Sequence, residues 1–130
     1  MRINTGIITQ CIDESRIFYR DRLRFREKFV SEWFVLLCSE ENPQNELALM
    51  LPGMPQVRLA GFQKPYTGQG IWLIMECEDV EAEYHRLQSS GLTIELPLTA
   101  EEWGDYHFVI KDPNGILIDF VQHREVDNEA

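Results

Sequence analysis

The sequence is short of cysteine, of histidine and of positive charge. Its three cysteines, Cys11, Cys38 and Cys77, lie far apart and form no CxxC pair. An odd, scattered set excludes a disulfide framework and fits free thiols in a reducing, cytoplasmic compartment. Each thiol reads as a small buried hydrophobe rather than a nucleophile. Twelve basic residues face 22 acidic ones, for a formal net charge of -10. That field repels phosphate backbones, so nucleic acid is not an expected partner. The one basic cluster, Arg20, Arg22, Arg24, Arg26 and Lys28, is interrupted by Asp21 and Glu27. It reads as a solvated face with favourable charge at a helix C-terminus, ahead of an anion site.

Long apolar runs are missing too. The longest, such as 33–38, are strand-sized, far below the roughly 18 residues of a membrane span. No membrane partner is expected. The start, Met1-Arg2-Ile3-Asn4, leads straight into a strand-like segment, and no signal peptide is expected before it. Gly68-Gln69-Gly70 lacks the helix and the lysine of a phosphate cradle. Ser15, Ser31, Ser39, Ser89 and Ser90 fall at caps, turns or helix ends, so no serine triad is in view.

What is present is enough for a core. The chain has 130 residues, 44% of them hydrophobic, which suits one compact domain or two very small modules. Residues 2–10 read as a strand, carrying Ile3, Ile7 and Ile8. Asp13 is a candidate N-cap for a short amphipathic helix from Glu14, with Ile17, Phe18 and Leu23 on its apolar side and Tyr19 alongside. Residues 25–30 and 33–38 read as strands joined by a tight turn at Ser31-Glu32. A polar turn over 40–45 leads to a strand over 47–51, which Glu46 can extend. Pro52-Gly53-Met54-Pro55 stops it. Residues 56–69 read as a connector, long enough to be a candidate binding loop or the cover of a sheet edge.

The second half repeats the order. Residues 71–77 read as a strand. Asp79 caps a helix with Val80, Tyr84 and Leu87 on one face, and Gly91 ends it. A strand over 93–96 and a loop over 97–104 follow. The last two strands, 106–111 and 116–121, flank the turn Asp112-Pro113-Asn114-Gly115. The polar tail 123–130 is expected to fray. The expected organisation is a first βαβββ module over 1–55, the connector, and a second module over 70–122. Four strands with one helix leave one sheet face uncovered. Two such modules can turn those faces to a shared cavity, an α+β fold of curved mixed sheets.

This order resembles the vicinal-oxygen-chelate superfamily of glyoxalases, bleomycin resistance proteins and extradiol dioxygenases. Phe18-Tyr19 with Leu23 is similar to its first-helix signature, although Arg24 stands where a glycine often follows. Trp103-Gly104, Phe108, Asp112-Pro113-Asn114-Gly115 and Ile118-Asp119-Phe120 resemble its closing hairpin. The likeness runs over residues 2–122. It implies a divalent metal held from four strands, at positions that match Asn4, Glu46 (or Ala48, if the register shifts), Trp72 and Asp119. Tryptophan has no lone pair to offer and asparagine is a weak ligand. Neither metal nor other cofactor is therefore expected. His85 belongs to a helix surface, and the alternation of 106–111 leaves open whether His107 or Phe108 faces the cavity.

The residues that stand out otherwise are Asp119, in an apolar strand, and three tryptophans. Asp119 reads as a structural acceptor for Asn4 or a backbone amide, or as a ligand-binding charge, with acid-base catalysis a third role. Trp72 is cavity wall or core. Trp103 closes one end of a pocket or packs under its loop, and Trp33 has the weaker case for lining it. The resemblance implies a metal-free protein that binds a small organic molecule, aromatic or cationic, through Asn4, Glu46, Trp72, Trp103 and Asp119. A homodimer is expected, since relatives pair modules across a two-fold axis. The alternative is a lyase, isomerase or oxidoreductase of glyoxalase or dioxygenase type with a non-standard metal site.

Overall fold

A computed structural model describes residues 1–125 of the chain. It divides into two compact units, Met1–Thr67 and the part from Gly68 onward. The first contains β1 (Thr5–Ile8), α1 (Ile12–Leu23), β2 (Phe25–Val30), β3 (Phe34–Ser39) and β4 (Glu46–Met50). The second contains β5 (Trp72–Glu76), α2 (Val80–Ser89), β6 (Ile94–Ala100), β7 (Asp105–Lys111) and β8 (Leu117–His123). The sheets have matching orders, β1-β4-β3-β2 and β5-β8-β7-β6, with one parallel pair in each. The fold class is α+β with two βαβββ modules, as the order of elements predicts. A short 3-10 turn, Ala60–Phe62, lies in the connector. No helix among the described residues is long and apolar enough to cross a membrane.

Each sheet buries one face under its helix. In the first unit Ile7, Val35, Leu37, Leu47 and Leu49 are buried against α1. The helix presents Ile12, Ser15, Tyr19 and Leu23, spaced three and four residues apart, as its buried row. Ile17 is exposed and Phe18 only half-buried. The apolar side is thus rotated from the one expected at Ile17 and Phe18. The cap differs as well. Cys11, rather than Asp13, is the N-cap, and its side chain makes no cap bond. Asp13 and Glu14 lie in the first turn, where carboxylates complement the helix dipole. Cys11 is exposed, so only Cys38 of the three thiols is fully buried.

In the second unit Phe108, Ile110, Ile118 and Phe120 face α2. Phe108 stacks on Phe120 at 4.9 Å and meets Tyr84 edge-on at 5.1 Å. Asp79 caps α2 by accepting from the Ala82 amide. The turn after β7 is built on Asp112, whose Oδ1 accepts from the amides of Asn114 and Ile116. Gly115 completes it at φ 82°, where a side chain would be strained.

Several expected boundaries move: β1 shortens from 2–10 to Thr5–Ile8, and in the second module β6 and β8 lengthen. β6 continues through Pro97, where a loop was expected, because it is an edge strand with register shifts on both sides of Leu96. A proline at a bulged edge forfeits no ladder bond. β8 runs to His123, the first residue of the expected tail, since Asp105 pairs with it. Arg124 follows it with its amide bonded to the Gly104 carbonyl instead of fraying, and residues 126–130 of that tail lie outside the described residues.

Candidate functional site

The open face of the second sheet gathers the chemistry. β5 presents Trp72, Ile74 and Glu76, with Trp72 53% exposed. Strand pairing sets Trp72 beside Leu117, Ile74 beside Asp119 and Glu76 beside Val121. Across β8, Val109 and His107 of β7 stand opposite Asp119 and Val121. Trp72 is therefore one pleat from Asp119 on the same face, and the register partner of Asp119 is Ile74. The apolar stretch of Trp72, Ile74 and Leu117 leads directly to a row of charge.

That row is centred on His107, whose facing the sequence leaves open. Phe108 turns to α2, so His107 turns to the open face with Asp119. Its Nδ1 lies 2.7 Å from Asp119 Oδ1. Its Nε2 lies 3.4 Å from Glu101 Oε2, at ion-pair distance, but makes no hydrogen bond although buried. Burial pulls the imidazole's titration down most strongly. The hydrogen bond and charge of Asp119, followed by the nearby Glu101 carboxylate, outweigh it and leave the ring above its ordinary value. The side-chain partner of Asp119 is thus His107 rather than Asn4. Nothing in the sequence singled out Glu101, which belongs to the turn after β6.

A second histidine contact lies further along. His123 Nδ1 is 2.7 Å from Asp105 Oδ1, and its Nε2 is 3.1 Å from Glu76 Oε1. The hydrogen bond to Asp105 is the largest of the effects that raise its titration. Reciprocally, His123 and then Trp103 hold the Asp105 carboxyl below its usual range. Trp103 is 65% exposed and donates its indole N–H to Asp105 Oδ2 at 3.1 Å. It does not pack under its loop.

The first unit has its own cluster. Glu46 begins β4 and pairs with Cys38. Lys28 Nζ lies 2.6 Å from its Oε2, while Arg2 at 3.1 Å and Asn4 Nδ2 at 3.2 Å take its Oε1. The hydrogen bond to Lys28 is the main effect that depresses the Glu46 carboxyl. Lys28 is the extra residue of a bulge, since Glu27 pairs with Leu37 and Phe29 with Leu36. Within the basic cluster Arg20 holds Asp21 and shares Glu27 with Arg16, and Arg24 lies 3.4 Å from Glu41. Arg20 and Arg22 lie in the last turn of α1, the favourable placement at a helix C-terminus that was expected. Trp33 is half-buried beside Phe34.

A family model described as glyoxalase/bleomycin resistance protein/dioxygenase superfamily matches residues 3–120. The chain belongs to this superfamily. Among solved structures, a lactoylglutathione lyase from Agrobacterium tumefaciens shares 19% identity at TM-score 0.75, covering 94% of this chain and 92% of its own. A superfamily member from Sphaerobacter thermophilus shares 21% at TM-score 0.73, covering 95% and 98%. TnmS3, an antibiotic binding protein from Streptomyces sp. CB03234, shares 18% at TM-score 0.69, covering 95% and 96%. At these identities the likeness establishes the fold. No curated protein matches the chain.

The metal that the superfamily implies does not suit these side chains. At Glu46 an ammonium already stands within 2.6 Å, with a guanidinium beside it, and both repel a divalent cation. Trp72 offers an N–H and no lone pair. Asp119 is engaged by His107. Among the described residues no group of three or more His, Cys, Asp or Glu is disposed to hold a metal ion.

Proposed function

We propose that the protein binds a small planar organic molecule, aromatic or cationic, without a metal. One observation carries this reading: a half-exposed indole, Trp72, shares an open sheet face with the carboxylate of Asp119. An indole in water gains by covering a flat guest, and a neighbouring carboxylate orients a positive or hydrogen-bond-donating group. Trp103 and Asp105 extend that face, and Asn4 with Glu46 are proposed as polar ligand contacts within the first module. That TnmS3 is an antibiotic binding protein on the same fold supports the reading. The modules are proposed as 1–55 and 70–122 on either side of the connector 56–69.

The rival reading, a lyase, isomerase or oxidoreductase with a non-standard metal site, draws less support from a Glu46 already neutralised by Lys28. The proposed setting is cytoplasmic, in keeping with the free thiols. The proposed assembly is a homodimer, because each sheet has a helix on one face only. The test is a thermal-shift and tryptophan-fluorescence screen with planar aromatic amines, in the wild type and Trp72→Ala. Saturable quenching that the variant loses, at unchanged folded stability, is the expected result. Quenching that survives in Trp72→Ala, or none from any compound at millimolar concentration, would remove the reading.

A further inference from the structure

His107 is more than nine-tenths buried, and each of its ring nitrogens faces a carboxylate oxygen. Asp119 comes from β8 and Glu101 from the turn after β6. On its own strand the nearest acid is Asp105, which is held by His123 and Trp103. Thr99 of β6 and Val121 of β8 stand in register with it and carry no charge. The face toward α2 is closed by Phe108 and Tyr84.

Neutral imidazole has one N–H and one lone pair. With the proton on Nδ1, the Nε2 lone pair points at Glu101. With the proton on Nε2, the Nδ1 lone pair meets Asp119 at 2.7 Å. Either tautomer sets a lone pair against an anion inside a buried site. Only the imidazolium presents an N–H to Asp119 and positive charge to Glu101.

We infer that His107 is an internal cation bridging Asp119 and Glu101, and that a cationic guest on this face binds in exchange for its proton. The inference rests on the proposed reading of the face as a cation-binding surface. With the proton in place, the trio has one net negative charge. When the proton leaves, it has two, and the charge that the ring no longer balances becomes available to the guest. The residue then sets the charge of guest that the face accepts: positive guests are favoured above its titration, and neutral ones are indifferent to it.

The experiment has two arms. The first follows the His107 ring by nitrogen-detected NMR against pH in the free protein. A doubly protonated ring at neutral pH is expected, with a midpoint above that of an ordinary histidine. Glu101→Gln and Asp119→Asn should each lower it. A midpoint at or below the ordinary value, or one that neither variant moves, would overturn the bridge. The second arm titrates N-methylacridinium, a planar cation whose own charge does not change with pH. Its affinity should rise several-fold as pH passes through the His107 midpoint, and His107→Gln should flatten that rise. Affinity that is flat in the wild type, or that rises equally in His107→Gln, would overturn the exchange. No binding at any pH would sink the cation-binding reading and the exchange with it, whereas the NMR midpoint would still decide the bridge.

Discussion

The Lys28 ammonium lies 2.6 Å from the Glu46 carboxylate, two strands away across the first sheet. The bulge in β2 aims it there. In effect the chain supplies its own cation to the Glu46 carboxylate. Replacing Lys28 by Met removes that charge and keeps the length of the side chain. The Glu46 carboxyl should then titrate higher, close to an ordinary glutamate. Carbon-detected NMR of the Glu46 carboxylate in wild type and variant reads this directly. An unmoved midpoint would mean that Lys28 does not control it.

Metal content follows from the same cluster. Protein purified without chelator should carry nickel, zinc, iron and manganese at well under one atom per chain, and added metal should not raise its melting temperature. Elemental analysis with a parallel thermal scan checks this. Near-stoichiometric metal that survives dialysis would show that Lys28 and Arg2 yield to it.

Stability should depend on pH with limbs of opposite sign. The titrations of His107 and His123 are raised by folding. Their contribution is complete below about pH 6.5, the unfolded histidine value, and is lost as pH rises through the raised values. Glu46 and Asp105 are depressed. Their contribution is complete above about pH 4–4.5 and is lost as pH falls through the lowered values. The melting temperature should therefore peak in mildly acidic buffer. His107→Gln should flatten the alkaline limb more than His123→Gln, because His123 is largely exposed and its ion pairs are screened. Equal slopes in wild type and His107→Gln would contradict the assignment.

Arg24 marks a position where the backbone asks for glycine. It ends α1 in the left-handed region, φ 58° and ψ 41°, with its amide bonded to the Tyr19 carbonyl. A side chain there costs about 1 kcal/mol relative to glycine. Arg24→Gly gives up an exposed ion pair to Glu41, which contributes little. The variant should be more stable by about 0.5–1 kcal/mol in urea unfolding. A loss of stability would mean that the arginine side chain does more than its surface pairing suggests.

Core and site should respond differently to truncation. Phe108 is fully buried between Phe120 and Tyr84, so Phe108→Ala should cost about 3–5 kcal/mol. Trp72 is half-exposed at the start of its strand, and Trp72→Ala should cost less than about 1 kcal/mol. The indole is thus a cleaner probe of binding than its place in a strand suggests. Asp119→Asn removes charge from the face and from His107 together. It should weaken a cationic guest by about 1.5–3 kcal/mol. Calorimetry beside urea melts separates the effects. A Trp72→Ala as damaging as Phe108→Ala would place the indole in the core.

The order of elements was legible along the chain because it depends on local signals. The apolar alternation, the Asp79 cap and the Asp112-Pro113-Asn114-Gly115 turn each act within a few residues. They are enough to define two modules of strand, helix and three strands. The face of α1 was misread because Ile17 and Phe18 look as apolar as Tyr19 and Leu23. Only docking on the sheet decides which row is buried. Pro97 looked like a strand stop because a sequence does not show which strand lies at an edge. Asp119 stood out as a carboxylate in an apolar strand, so the need for a partner could be read. Which partner it takes depends on the register of β7 against β8, and that register turns His107 toward it. Lys28 on Glu46 was further from view, since it needs a bulge in β2 and the adjacency of β2, β3 and β4. Local chemistry therefore determined the modules and named the odd residues. Strand pairing decided which of them meet, because it joins side chains far apart in the chain that no local periodicity relates.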